Sequence, residues 1–187
     1  MDDLFTYFNR FNLILPSSKE ALIQICSELR IPKNNILQEI SATCKTIYFV
    51  KSGVARIFYY KDGNDITEHF SFEGNIIARV ESLFTGRPSQ KAIQVLEDST
   101  IIAINATQLF KLYDDYPDIE RLFRLIFEAE HVHTVKRLES IQFHSALERY
   151  QSLMKEKEVI QRIPLKHIAS FLGITQVSLS RIRTAIS

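Results

Sequence analysis

Between Asn34 and Ile104 the chain is broken into short apolar runs that leave no room for a long helix. Ile36–Ile40, Thr46–Val50, Val54–Tyr60, Ile66–Phe72 and Ala92–Glu97 are rich in β-branched and aromatic residues. Ser52-Gly53, Asp62-Gly63-Asn64-Asp65 and Glu73-Gly74 separate them, and four of the five glycines (Gly53, Gly63, Gly74, Gly86) fall in such breaks. Glycine is favoured where the backbone needs a positive φ or a close approach, so each break predicts a tight turn between strands. Many short strands at this spacing close into a sandwich or barrel.

The rest of the composition is that of a folded, water-facing protein. Of 187 residues, 45% are hydrophobic and 24% charged, too apolar for a disordered chain and enough for one medium domain or two small ones. The apolar runs fall far short of the ~20 residues that a membrane helix needs. Met1-Asp2-Asp3 is acidic and lacks the basic start of a signal peptide. Cys26 and Cys44 are too few for a disulfide framework or an iron–sulfur centre. The expectation is a cytoplasmic protein without a membrane partner.

Helical patterns flank the strands. Ser17-Ser18-Lys19-Glu20 has capping-box spacing, and Leu22, Ile25, Cys26 and Leu29 follow as one stripe up to Ile31-Pro32. Thr107–Tyr113 reads as a short helix. A long helix is predicted from Tyr116-Pro117-Asp118 to about Gln142, with Pro early and Asp118 and Glu120 at the positive end of the dipole. Leu122, Leu125, Ala129, Val132, Val135 and Leu138 keep its three-or-four spacing. A helix of ~40 Å is more than one small domain needs. One face is therefore expected to pack on the strands and the other on a twin helix in a homodimer. Ser145-Ala146-Leu147-Glu148 opens another helix with Leu147, Tyr150 and Met154 on one side, and Lys155–Glu158 forms its charged exit.

Charge is unevenly spread. Residues 1–117 hold 12 Lys and Arg against 14 Asp and Glu, whereas residues 145–187 hold 7 against 3, and no acid follows Glu158. Within this basic segment, Leu165, Ile168, Ala169 and Leu172 give one buried helix face, Gly173 suits a left-handed stop, and Thr175 can cap a second helix. That helix buries Leu179, Ile182 and Ile186 and turns Val177, Ser180, Arg181 and Thr184 outward, flanked by Gln176 and Arg183. Two short helices joined through a glycine turn form a helix-turn-helix, whose second helix enters the major groove of double-stranded DNA. Arg181 can donate twice to guanine, Gln176 can pair with adenine and Val177 can touch a thymine methyl. Thr175, Ser178 and Lys166 suit phosphate contacts, and His167 is expected to approach phosphate beside Lys166.

In this order of elements the chain resembles bacterial transcription regulators of the Crp/Fnr family over nearly its whole length. The signatures are Tyr48-Phe49-Val50-Lys51-Ser52-Gly53-Val54-Ala55-Arg56, Phe72-Glu73-Gly74-Asn75, and Ile168-Ala169-Ser170-Phe171-Leu172-Gly173-Ile174-Thr175 leading into Ser180-Arg181-Ile182-Arg183. The resemblance implies an α+β chain in three parts. Residues 1–117 would be a cyclic-nucleotide-binding-like effector domain, a β-roll or double-stranded jelly roll. Residues 118–144 would be a dimerisation helix, and 145–187 a helix-turn-helix DNA-binding domain of reduced winged-helix type. The reduction follows from length: only Lys157–Ile163 is left for a wing, with Val159-Ile160 as a vestigial strand, and the chain stops at Ser187.

Relatives that bind cyclic AMP carry a Gly-Glu pair for the ribose and an Arg followed by Ser or Thr for the phosphate. Here the corresponding stretches read Gly74-Asn75 and Pro88-Ser89-Gln90-Lys91-Ala92. A buried phosphate needs a compensating cation, so cyclic nucleotide binding is not expected and no cofactor is predicted. Gly74, Asn75, Arg87, Ser89, Gln90 and Lys91 remain the candidate residues for an unknown small-molecule effector. His131 and His133 form a His-x-His pair, but on a helix they point about 200° apart and are expected at an exposed or dimer-interface surface, not at a metal. The expectation is a non-enzymatic, homodimeric regulator, either activator or repressor, with RNA polymerase as a further partner if it activates. A cyclic AMP- or cyclic GMP-responsive regulator of the same build is the alternative. A cupin-like metalloenzyme, with only His69 and Glu68 in the strands, is the remote one.

Overall fold

The computed structural model of the chain describes residues 1–155 and 161–186. Val159-Ile160, most of the charged exit after Met154, and the side chain of Ile186 lie outside the described residues. Among the described residues, eight strands form two antiparallel four-stranded sheets: β1 Cys26–Ile31, β2 Ile36–Gln38, β3 Thr46–Ser52, β4 Ala55–Lys61, β5 Asn64–Ser71, β6 Ile76–Ile77, β7 Ala92–Val95 and β8 Ser99–Asn105. One sheet runs in the order β1-β8-β3-β6 and the other β2-β7-β4-β5. Chain neighbours mostly lie in different sheets or apart in one sheet, the wiring of a jelly roll.

Alternation explains the central strands. In β3, Tyr48 and Val50 point into the roll with Ile57, Ile93 and Ile101, whereas Ile47 and Phe49 point out against helices. In β8, Ile101 faces in and Ile102 and Ile104 face out. Both faces of these strands are covered, which is why they read as unbroken apolar runs instead of alternating ones. β4 and β5 meet in a hairpin whose tip, Asp62-Gly63, has φ 51° and 76°. Positive φ at both positions is what a two-residue turn between twisted strands requires.

Helices α1 (Asp2–Phe8), α2 (Pro16–Gln24), α3 (Val80–Thr85), α4 (Ala106–Asp115) and the 27-residue α5 (Pro117–Phe143) complete the roll's cover. α1, which the periodicity does not announce, buries Leu4, Phe5, Tyr7 and Phe8. The Phe8 ring meets Phe123 edge-on at 5.4 Å, and Tyr7 lies 5.6 Å from Phe49. Strands β1, β6 and β8 and helix α3 also go beyond the expected runs.

One expectation fails here. The stripe Leu22, Ile25, Cys26 and Leu29 belongs to no single helix: α2 ends at Gln24, and Cys26–Ile31 is an edge strand paired with β8, Cys26 opposite Ile104 and Ile31 opposite Ser99. The open edge of β8 offers a row of donors and acceptors, and satisfying it outweighs a helix stripe in which Leu29 would have been buried. Leu29 is left 37% exposed. Nor does Ser17 cap α2. Its N-cap is Leu15, with Pro16 in the first turn, and the capping oxygen comes from Asp118 of α5. Asp118 accepts from the Leu15 N–H at 2.9 Å and from the Ser18 hydroxyl at 2.8 Å.

Gly53 is packed closely against Ser99. Its φ is +105°, and a Cβ there would fall 2.1 Å from Ser99 Oγ and 2.6 Å from Ser99 Cβ. Gly53→Ala is expected to cost about 2–3 kcal/mol through backbone strain and this overlap. Urea unfolding checks it: the midpoint should fall with the slope unchanged.

Candidate functional site

Past α5, the capping box at Ser145 is present. The Glu148 N–H reaches Ser145 Oγ at 3.3 Å, and Glu148 Oε2 accepts from the Ser145 N–H at 2.7 Å. It opens α6 (Ala146–Leu153), which buries Tyr150 as expected but pairs it with Leu153, leaving Leu147 and Met154 more than 40% exposed. Next come α7 (Leu165–Phe171) and α8 (Gln176–Ile186). Ile168, Ala169, Leu172 and Leu179 are buried against one another and against α6, with Ile182 half-buried beside them, whereas Leu165 is exposed. Gly173 has φ +70°, and the Ile174 N–H reaches back to the Ala169 carbonyl at 3.0 Å, a left-handed helix stop. The Arg149 guanidinium donates to the Leu172 carbonyl at 2.7 Å, adding positive charge at the negative end of α7.

Thr175 caps α8, its Oγ1 accepting from the Ser178 N–H at 3.1 Å. Ser178 is half-buried with its hydroxyl 3.0 Å from the same oxygen, so it belongs to the cap before it belongs to any ligand. Gln176, Val177, Ser180, Arg181, Arg183 and Thr184 are all exposed on α8, and Lys166 is exposed on α7. This outward face carries no acid.

His167 does not share that exposure. It is buried, and its Nδ1 lies 2.9 Å from Arg56 of β4. A guanidinium has only donors, so Nδ1 accepts and the ring is neutral. Arg56 is itself buried; it is held by Asp65 at 2.5 and 2.6 Å, by Thr67 at 2.9 Å and by Gln94 at 2.8 Å, and stacks on Phe58. The expected phosphate approach by His167 is therefore replaced by a contact that fastens α7 to the roll. Around it the Thr67 N–H donates to Ser170 Oγ at 3.1 Å, Phe70 meets Phe171 at 5.1 Å, and Val54 and Leu96 join the apolar cluster. Arg162 bridges Glu73 and Glu97 at its edge. Its hydrogen bond to Glu73 helps hold that carboxyl down at about 2.

A second feature is a cavity region between β5, α3 and α5 made of two neighbouring lobes, one of about 370 Å³ and one of about 490 Å³, which share His69, Glu130 and His133 in their walls. Arg79, Lys91 and Glu68 lie on its wall: Lys91 Nζ is 2.8 Å and Arg79 3.4 Å from the Glu68 carboxylate. Gln90 and Lys91, two of the candidate effector residues, line it. Ser89 stands behind, accepting from Arg79 Nε at 3.3 Å. Asn75 lies on the neighbouring lobe, where its amide donates to the Glu73 carbonyl. Gly74, φ +75°, lines neither lobe, and Arg87 is exposed outside both. The cation at the wall that the motif reading missed is Arg79. His131 and His133 both reach the cavity rim from α5, opposite His69, whose imidazole burial pushes down to about 4. Among the described residues no group of three or more His, Cys, Asp or Glu is placed to hold a metal ion.

The long helix changes partner along its length. Ile119, Leu122, Phe123 and Ile126 are buried in the roll's helical core, so Leu122 is not part of a free dimer stripe. Leu125 and Ala129 are half-buried, and Val132, Val135, Leu138 and Ile141 are 39–54% exposed.

Residues 28–116 match the family model described as the cyclic nucleotide-binding domain. Solved structures extend the likeness over the paired helices. A Crp/Fnr-family transcriptional regulator from Eubacterium rectale is 19% identical with a TM-score of 0.76, over 95% of this chain and 85% of that one. FixK2 from Bradyrhizobium japonicum is 17% identical at 0.75, over 87% and 84%. The c-di-GMP-responsive regulator CLP of Xanthomonas campestris is 14% identical at 0.69, over 91% and 90%. The chain has the Crp/Fnr fold. No curated protein matches its sequence, and no described helix is long and apolar enough to cross a membrane. Within the Crp/Fnr frame, the roll, the long helix and the paired helices occupy one continuous structure in which α7 rests directly on β5.

The docked state depends on His167 being neutral. Its folded pKa is pushed down to about 4 by burial and by the neighbouring Arg56 charge. Between about 6.5 and 4 the unfolded chain takes up a proton that the folded chain refuses, so stability falls as the pH falls through that window. His167→Gln, which keeps an acceptor for Arg56, is expected to flatten this fall by close to one proton. Chemical denaturation from pH 7 to pH 4, comparing the two proteins, measures it.

Proposed function

We propose that the chain is a homodimeric, DNA-binding transcription regulator whose β-roll senses a small molecule. The observation that carries the reading is the acid-free exposed face of α8, held out by a glycine stop, a threonine cap and a buried apolar floor. Such a face has donors for base edges and no charge that would repel phosphate. The Crp/Fnr fold supports it, since its solved relatives include transcriptional regulators. In this reading Arg181, Gln176 and Val177 read bases, and Lys166, Thr175, Ser180, Arg183 and Thr184 serve the backbone and flanks. The exposed stretch of α5 from Val132 to Leu138, with Leu125 and Ala129 at its inner end, is the dimer seam. Two copies then present their α8 helices to successive major grooves about one helical turn apart.

The effector is taken to be something other than a cyclic nucleotide, because Glu68 already engages both Lys91 and Arg79 at the cavity wall. The family match of residues 28–116 favours the alternative, a cyclic AMP- or cyclic GMP-responsive regulator. Calorimetry with both nucleotides separates the two, and micromolar binding of either establishes the alternative.

The test of DNA reading is binding to operator-length duplex. Arg181→Ala is expected to cost about 1–3 kcal/mol and relax preference at one base pair. Lys166→Ala should weaken all sequences alike and reduce the salt slope by about one. An Arg181→Ala protein with unchanged affinity and preference removes it as a base reader. Val135→Glu places a charge in the seam, and sedimentation should show a monomer; a persistent dimer refutes the seam.

A further inference from the structure

Arg137 links the cavity to the paired helices. It projects from α5, lines the larger lobe, and carries its guanidinium 3.9 Å above the Phe171 ring at the end of α7. It also donates to the Phe171 carbonyl. Its Nε is buried without a hydrogen-bond partner. Among the described residues no carboxylate lies within ion-pair distance of it, although Glu68, Glu81 and Glu130 also line the lobe. Glu68 is occupied by Arg79 and Lys91. Burial raises the Glu130 carboxyl, which favours its neutral form, and burial and the Arg149 charge push Arg137 down to about 10. A half-buried cation with no ion-paired carboxylate among the described residues, only the longer-range charge of Glu68, and with an orphaned donor is held at a cost that an anion in contact would reduce.

We infer that the cavity takes a small oxyanion, a carboxylate or phosphate, and that Arg137 is the residue through which its binding reaches the paired helices. This rests on the effector-cavity reading given above. The guanidinium offers five donors in a planar fork, of which the Phe171 carbonyl uses one. An oxyanion in the lobe can take the remaining donors in a bidentate pair, stronger than one bond to a neutral carbonyl. Engaging it draws the cation off the Phe171 ring, and Phe171 is part of the α7 contact with Phe70. The cavity's occupant and the seating of α7 on β5 thus compete for one side chain. The energy available is the difference between the two pairings, which is all that a ligand can contribute to such a shift.

The test needs no DNA, so it succeeds or fails independently of base reading. Inorganic phosphate, pyrophosphate and citrate are titrated at fixed ionic strength into the full chain. The readouts are the Arg137 Nε–Hε and histidine ring resonances and hydrogen exchange of the α7 amides. At least one anion should shift Arg137 Nε–Hε and His69 together and speed exchange at Ile168–Leu172. Arg137→Gln should weaken that anion's binding at least tenfold. Arg137→Lys, which keeps the charge but not the planar stack, should bind within tenfold of the parent while no longer changing α7 exchange. Shifts at His69 with Arg137 silent, or equal binding by the Gln variant, overturn the role of Arg137 and leave the effector cavity standing. No shift at either group overturns the oxyanion.

Discussion

A guanidinium cannot be left alone in a protein interior, and the placement of Arg56 in the middle of an apolar strand obliges much of the surrounding structure. Its five donors meet Asp65 from the facing strand, Thr67 and Gln94 from the sheet surface, and a neutral imidazole from α7. Removing Asp65 from this set would strand a buried charge, a cost of about 3–5 kcal/mol. The register of β4 against β5 and the seat of α7 are therefore fixed by the same atom group. Apolar burial of Phe70, Ile168 and Leu172 supplies the area of contact; the Arg56 cluster supplies its geometry.

The long helix is best understood as two segments with different obligations. Its first three turns are an internal wall of the roll, with Ile119, Phe123 and Ile126 fully buried. Its later turns carry apolar residues into the open, beyond the reach of the roll's own core. Val132, Val135 and Leu138 form an exposed apolar stripe there, which the proposed second copy would cover. The cavity lies where the two segments meet, so its walls belong to the roll and to the helix at once.

Much of the architecture was legible from periodicity and punctuation. The turns at Gly53, Asp62-Gly63 and Gly173, the capping box at Ser145 and the extent of the long helix all follow from local chemistry, and local chemistry decides them. What was illegible depends on distant partners. Cys26–Ile31 reads as the end of a helix because nothing nearby reveals that β8 needs an edge. Asp118 looks like a dipole-stabilising acid, while its oxygens cap a helix about a hundred residues earlier. His167 beside Lys166 resembles a phosphate contact until Arg56 is placed against it. For Arg56 and Arg79 there was a signal: a lone arginine within an apolar run must find partners inside. It names no partner, and so no site.

The bonds from Asp118 to Leu15 and Ser18 join the start of the chain to the root of the long helix. Together with the Phe8–Phe123 contact they make the N-terminal arm a collar around the helix base. With its first turns fixed by this arm as well as by the sheets, the helix would have to bend or twist beyond the collar and not at its root.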